Sequence, residues 1–302
     1  MLNKIPNFLR EKLLKQYGKE ILEKILIGYS EKRPVTLRVN TLKTDSAKIK
    51  EKLKLNNIDF SEVVWSHNAL IINNVEERDI RKLEIYENGE IYLQSLSSML
   101  PAIVLSPKAG ENILDMAAAP GGKTTQMAAL SNNEALITAC EKNKIRAERL
   151  KYNIKKQGAN KINVLLTDAR NLDNFFSFDK ILLDAPCSGS GTINLENEKL
   201  ENIFTQELVN RSVKTQYELL KKAVAILKPG QEMVYSTCSI LEEENEKNLL
   251  KILQNNNVEI VPIDKSLFKG ALLLPTQIEG TICICPDKLY EGFYISKIKK
   301  YE

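Results

Sequence analysis

Two short runs concentrate the reactive side chains of this 302-residue chain, Asp184-Ala185-Pro186-Cys187-Ser188-Gly189-Ser190-Gly191 and Tyr235-Ser236-Thr237-Cys238-Ser239. Each follows an apolar run of strand length, so both thiols are expected at strand ends and in one cleft. A lone cysteine is most simply a small buried hydrophobe. Two of them on neighbouring strand ends, flanked by serines and an aspartate, point instead to thiolate chemistry assisted by a carboxyl group.

The elements that must hold them follow from the hydrophobic pattern. From about residue 95 onward, strand-like runs (Asn112 to Met116, Ala135 to Cys140, Ile162 to Thr167, Lys180 to Asp184, Met233 to Thr237) alternate with helical segments. That rhythm predicts an α/β fold, Rossmann-like, with a mostly parallel doubly wound sheet. Ligands collect outside the carboxyl ends of such strands. The first strand runs into Ala117, Ala118, Ala119, Pro120, Gly121, Gly122 and Lys123, a small-residue loop that lets backbone approach a cofactor before a helix opens. The second ends at Glu141, whose carboxylate can accept hydrogen bonds from both ribose hydroxyls of an adenosine-containing cofactor. The third ends at Asp168, alone a helix cap, but in register with the loop and Glu141 a further sign of adenosine. A plain strand-to-helix turn is the bland alternative. A sharper rival is a P-loop nucleotidase, because residues 117–124 nearly fit G-x-x-x-x-G-K-T and Asp184 could hold magnesium. Ala117 stands where that loop needs its first glycine.

Before residue 95 the pattern differs. Met1 to Ser30 mixes apolar residues with Lys4, Arg10, Lys12, Lys15 and Lys19, as an amphipathic helix does and a signal peptide does not. From Pro34 to about Leu93, runs such as Val35 to Val39, Val63-Val64-Trp65 and Leu70-Ile71-Ile72 alternate with helix-like stretches, predicting a small α/β unit. No run approaches the roughly 18 apolar residues that cross a membrane. The five cysteines are an odd number without an export signal, which favours free thiols and a cytoplasmic address. Cys283 and Cys285 are read as strand residues, and His67, the one histidine, cannot complete a zinc site with them, so no metal is expected. Net charge is only +4, from 43 basic and 39 acidic residues, and does not announce a nucleic-acid binder. Locally, eight basic residues face two acidic ones between Glu141 and Lys161, and Arg211, Lys214, Lys221, Lys222 and Lys228 face Glu218 alone; each is a solvated face or a nucleic-acid surface.

Several motifs together resemble one family across nearly the whole chain, the Nop/Sun (RsmB-like) RNA cytosine-5 methyltransferases. They are Pro34 to Thr41, Tyr92-Leu93-Gln94-Ser95, Ala117 to Lys123, Asp184 to Gly189, Ser236 to Ser239 with Glu243-Glu244-Asn245-Glu246, and Glu291-Gly292-Phe293-Tyr294. The resemblance implies S-adenosylmethionine as cofactor and an RNA substrate, ribosomal or transfer, presenting an unpaired or flipped cytosine. Carbon 5 of cytosine is a poor nucleophile, so a thiolate must first add to carbon 6; the family pattern gives that role to Cys238. Asp184, kept protonated by burial, would donate to ring nitrogen 3. Release of the product falls to Cys187 or to water. The cofactor contacts carry over as Ala117 to Lys123 on the methionine moiety, Glu141 on the ribose, Asp168 near the adenine and Asp184 bordering the pocket.

The chain also departs from the family. After Ile193 it reads Asn194-Leu195-Glu196-Asn197-Glu198, where arginines and an Asn-Pro or His-Pro are usual, and Gly230-Gln231 replaces Gly-Gly. The expected organisation is an N-terminal helix and small α/β (RRM-like) RNA-guiding domain over residues 1–93, with Arg38 and Lys43 as its candidate RNA contacts, and a catalytic domain over 94–302. A monomer with no membrane partner is expected. The alternative from another class is a non-catalytic RNA-binding assembly factor that kept the cofactor fold.

Overall fold

Apolar residues recur at Leu9, Leu13 and Tyr17 and again at Leu22, Ile25, Leu26 and Tyr29, steps that place them on one helical face. Helix α1 spans Asn7–Ser30 with that face buried. At Gly18 the backbone turns to φ 77 and ψ 174, a conformation open to glycine, and the helix kinks there. The computed structural model describes residues 5–196 and 200–301, so Lys4, Asn197 and Glu198 lie outside the described residues. The chain divides into two units, one of residues 1–33, 183–265 and 271–302, the other of residues 34–182 and 266–270.

The second unit begins with a four-stranded antiparallel sheet. It contains β1 (Val35–Val39), helix α2 (Ser46–Leu55), β2 (Phe60–Val63), β3 (Ser66–Ile72), the short helices α3 (Glu77–Ile80) and α4 (Glu84–Glu87), and β4 (Ile91–Leu93), in the order β2-β3-β1-β4. Val64 and Trp65, expected to prolong a strand, form the turn between β2 and β3, and Val64 is exposed. Leu37 and Val39 of β1 join Ile49, Leu53, Leu70 and Ile91 in one apolar core. Alternation along the strand sends Thr36 and Arg38 to the opposite face.

The same unit continues with α5 (Leu96–Leu105), β5 (Asn112–Asp115), α6 (Gly122–Leu130), β6 (Leu136–Cys140), α7 (Lys144–Gln157), β7 (Ile162–Leu165) and the greater part of β8 (Phe178–Asp184). Parallel ladders pair Ile113 with Ile137, Ile137 with Ile162 and Leu114 with Ile181, giving the order β8-β5-β6-β7. This is the Rossmann-like parallel sheet the alternation predicted. Strand β7 stops at Leu165, short of Thr167, because the Thr167 N–H turns back to the Leu165 carbonyl (3.0 Å).

The first unit takes the last residues of β8, then α8 (Leu200–Ile203), α9 (Gln206–Ile226), β9 (Leu227–Thr237), α10 (Glu246–Asn255), β10 (Val258–Ile260), β11 (Leu273–Leu274), β12 (Ile282–Ile284) and β13 (Phe293–Lys300). Strand β13 runs antiparallel to β9, from Tyr294 opposite Thr237 to Lys299 opposite Glu232, and also pairs β12 and β10. Strand β9 begins at Leu227, well before Met233. Its first half, Lys228 to Glu232, is not buried, so it carries no apolar signal.

Candidate active site

Strands β8 and β9 end side by side, because the Ala185 N–H donates to the Ser236 carbonyl (2.8 Å). The chain leaves β8 at Asp184 and β9 at Thr237, which brings the two thiols together. The Sγ atoms of Cys187 and Cys238 lie 3.0 Å apart, and both residues are half-buried. Beside them, the Ser236 hydroxyl donates to Asp184 Oδ1 (2.7 Å). The Cys187 thiol is pushed well above the ordinary cysteine range, first by its hydrogen bond with Cys238, then by burial and by the charges of Cys238 and Glu244. Cys187 therefore holds its proton at neutral pH.

The loop carrying Cys187 is shaped by close approach. The Gly191 N–H donates to the Cys238 carbonyl (2.9 Å), and the Gly292 N–H donates to the Gly191 carbonyl (2.8 Å). A Cβ on Gly191 would come within 2.0 Å of the Gly292 carbonyl oxygen, so only glycine lets these backbones meet. Helix α1 supports the same loops. The Tyr29 hydroxyl donates to the Ser190 carbonyl (2.5 Å) and the Tyr17 hydroxyl to the Ile240 carbonyl (2.6 Å), while Gln16 bonds both the Ile240 carbonyl and the Glu242 N–H.

In the second unit, β5 delivers the loop from Ala117 to Lys123. Buried Asp115 anchors it, accepting from the Thr124 hydroxyl (2.7 Å), and the Ala118 N–H reaches the Cys140 carbonyl at the end of β6 (2.9 Å). Gly121 has φ 108, in the left-handed region, and a Cβ there would sit 2.9 Å from Leu150 Cδ1. The Lys123 ammonium donates to Ser98 Oγ (2.7 Å). Glu141 is buried directly after β6, its Oε1 accepting from the Asn143 N–H (2.8 Å) and its Oε2 3.5 Å from Arg146 Nε. Arg146 also donates to the Ala119 carbonyl (2.7 Å), tying the loop to Glu141. Asp168 caps the turn after β7 and is clamped by Arg170, with Nη2 to Oδ2 at 2.7 Å and Nε to Oδ1 at 3.0 Å; the Arg170 partner holds its carboxyl below the usual range.

Arg38 is corrected as a candidate RNA contact. Arg38 is buried on the far face of β1, donating to Gln94 Oε1 (3.2 Å) and Thr125 Oγ1 (3.2 Å) beneath the Tyr92 ring, and burial pushes its guanidinium down to about 10. Gln94 in turn bonds Gln126, so the Tyr92-Leu93-Gln94 and Arg38 motifs bolt the small sheet onto α6. Lys43 stays exposed, its ammonium donating to the Asn88 and Lys156 carbonyls (both 2.7 Å). Cys140, Cys283 and Cys285 are buried; burial pushes Cys140 and Cys285 up to about 12 and Cys283 well up, the behaviour of packing residues. Among the basic segments, α7 buries Ala147, Leu150, Ile154 and Gln157 and exposes Lys144, Arg149, Lys151 and Lys155, while α9 exposes Arg211, Lys214 and Lys221. Among the described residues no helix is long and apolar enough to cross a membrane. The residue that sequence reasoning left without a role is Glu244, whose only signal was its place in a family motif.

A Rossmann-like sheet with a small-residue loop after its first strand and an acidic residue after its second defines a methyltransferase-type fold, with a ferredoxin-like domain ahead of it. The sequence profile of the 16S rRNA methyltransferase RsmB/F family matches residues 102–299, and that of the RsmF/B-like ferredoxin-like domain matches residues 5–77. The chain belongs to the RsmB/F methyltransferase family. It is 36% identical, over 88% of its length, to the ribosomal RNA small subunit methyltransferase F of Shewanella sp. (strain ANA-3), of which the match covers 56%. With that of Shewanella piezotolerans it shares 37% identity, over 91% of this chain and 59% of the relative. The chain thus spans little more than half the length of these relatives. Among solved structures, a methyltransferase homolog protein from Pyrococcus horikoshii superposes with a TM-score of 0.84 at 30% identity, covering 99% of this chain and 98% of that one. NSun6 from Pyrococcus horikoshii with SFG superposes with a TM-score of 0.88 at 25% identity, over all of both chains.

Proposed function

We propose that this protein methylates carbon 5 of a cytosine in RNA, with S-adenosylmethionine as methyl donor and Cys238 as covalent nucleophile. The observation that carries the reading is the 3.0 Å approach of Cys187 and Cys238 beside Asp184 at adjoining strand ends. A thiol pair of this kind suits a reaction that needs one sulfur to bond the ring and another group to handle a proton. The donor fits the second unit: a small-residue backbone loop from Ala117 to Gly122 for the methionine moiety, buried Glu141 for the ribose, and Asp168 near the adenine. When bound, it supplies an electrophilic methyl group.

The chain's own residues supply the rest. Cys238 adds to carbon 6 and pushes electron density toward carbon 5, with Asp184 at the adjoining strand end facing the ring nitrogen 3 edge. Once carbon 5 carries its methyl group, its proton must leave before Cys238 can. When Cys238 is bonded to the ring, its hydrogen bond and its charge no longer hold the Cys187 proton, while burial and the Glu244 charge still do. Cys187, its proton given up to solvent, then takes the carbon 5 proton as the base for release. The cytosine must be unpaired or flipped out, since a stacked base hides carbons 5 and 6. Residues 1–93 serve as the RNA-guiding segment and 94–302 as the catalytic one, and the basic faces of α7 and α9 track the phosphate backbone. The family and the relatives' names favour small-subunit ribosomal RNA as substrate; the protein acts on it in the cytoplasm as a monomer.

The test is transfer of labelled methyl from S-adenosylmethionine to ribosomal and transfer RNA by the wild type and Cys238→Ala, with the product located by bisulfite sequencing. Cys238-dependent 5-methylcytosine in small-subunit RNA is the expected result. Labelling of another base, or equal labelling by Cys238→Ala, overturns the reading.

A further inference from the structure

Each active-site cysteine is followed by a serine, and both serines end on one buried carboxylate. Glu244, fully shielded from solvent, lies in the turn between β9 and α10. Its Oε1 accepts from the Ser188 N–H (2.7 Å) and from Gln216 Nε2 (3.1 Å), and its Oε2 accepts from the Ser188 hydroxyl (2.5 Å) and the Ser239 hydroxyl (2.5 Å). Four donors thus converge on two oxygens in a dry interior, where such bonds are strongest and a missing one is most costly.

The direction of the network is set. The Ile240 N–H donates to Ser190 Oγ (2.9 Å) and the Leu241 N–H to Ser239 Oγ (3.2 Å), with the two hydroxyls 2.8 Å apart. The serine protons therefore run from Ser190 to Ser239 and from Ser239 to Glu244. The backbone of Glu244 is held as well, its carbonyl accepting from the buried Tyr235 hydroxyl, and its neighbour Asn245 accepts from Thr237 Oγ1 (2.6 Å) and donates to the Ser239 carbonyl (2.9 Å).

Building on the function proposed above, we infer that Glu244 is the positioning residue of the site: it sets the separation of Cys187 and Cys238 by pinning Ser188 and Ser239, the residues immediately after them. Its side-chain hydrogen bonds go to Ser188, Ser239 and Gln216. Two loops from different strands each reach the thiol contact over one residue from a shared anchor, so a shift at the anchor moves both sulfurs. Its charge also falls on Cys187, helping to keep that thiol protonated. A glutamine at 244 has the same shape but turns an NH2 group toward hydroxyls already committed as donors.

The separation can be read without RNA or methyl donor. In glutathione redox buffers, one cysteine thiolate displaces glutathione from glutathione disulfide, and the second thiolate displaces the other glutathione. Two electrons pass from the protein to the oxidant, leaving one protein disulfide and two glutathiones. The buffer ratio at half-oxidation gives the effective concentration of one thiol at the other. Glu244→Gln should lower it about tenfold or more, and Ser188→Ala, which removes one arm and keeps the Ser188 N–H, should lower it in the same direction. If Glu244→Gln is unfolded by circular dichroism, Ser188→Ala and Ser239→Ala decide. Wild-type effective concentration in the folded variants, or failure of the wild-type pair to oxidise, overturns the inference. In the methyl-transfer assay the same variants should lower kcat and leave KM for RNA unchanged. Absence of methyl transfer by the wild type would sink the proposed function and leave the glutathione result standing.

Discussion

Glu246 opens α10 with its side chain in the interior of the first unit, 2% exposed, and its Oε2 meets no partner there. Burial pushes its carboxyl up to about 7 from an ordinary 4.5, assisted by the charge of Glu242 and resisted by the Glu246 and Gln277 backbone N–H groups and by Lys247. A folded-state value above the unfolded one means that the folded chain binds the extra proton between the two. The stability from the protonated form is therefore fully present below about 4.5 and lost as pH rises through 7. The shift corresponds to roughly 3 kcal/mol in all, of which roughly 2.5 falls between pH 5 and pH 8. Glu246→Gln removes the titration and keeps the shape of the protonated group. Urea unfolding of both forms at pH 5 and pH 8 isolates this carboxyl, because every other titrating group cancels in the difference of differences. The variant should gain on the wild type by about 2 kcal/mol between the two conditions. Parallel pH dependence in the two forms would refute the reasoning.

Glu141→Ala removes the buried acceptor assigned to the ribose and should weaken S-adenosylmethionine binding in calorimetry by about 10- to 100-fold, from the worth of charge-assisted hydrogen bonds; unchanged affinity would exclude Glu141 from the site. Gly191→Ala drives a Cβ to 2.0 Å from the Gly292 carbonyl and should cost about 3 kcal/mol or more, seen as a lowered Tm. Arg38→Met should lower Tm without changing the salt dependence of RNA binding, because that guanidinium is buried, whereas Arg149→Ala on the exposed face of α7 should reduce the salt slope by about 1.

The strand-end cysteines, the small-residue loop after β5 and the place of Glu141 after β6 were legible because strand periodicity and turn chemistry are local. Asp168 was legible as a carboxylate after a strand; its clamp, Arg170, only two residues on, was readable in principle but overshadowed by the adenosine pattern. What escaped depends on distant partners. Nothing near Tyr17 or Tyr29 announces that α1 grips the loops at Ile240 and Ser190. Alternation in β1 put Arg38 opposite the core, yet whether that opposite face is wet is decided by Gln94 and Thr125, far along the chain. The half-buried first half of β9 carries no apolar rhythm, so its start was invisible. Glu244 was visible as one acid among several, and only the convergence of Ser188, Gln216 and Ser239 distinguishes it from its neighbours.

The division of labour between the two sulfurs is tested most directly by incubating Cys187→Ala with RNA and S-adenosylmethionine and resolving the products on a denaturing gel. With Cys238 able to attack and no partner thiol to take up the carbon 5 proton, a protein-RNA adduct should accumulate, survive denaturant, and be absent from the Cys187→Ala, Cys238→Ala double variant. Normal turnover by Cys187→Ala without an adduct, or an adduct that persists when Cys238 is gone, would contradict the account.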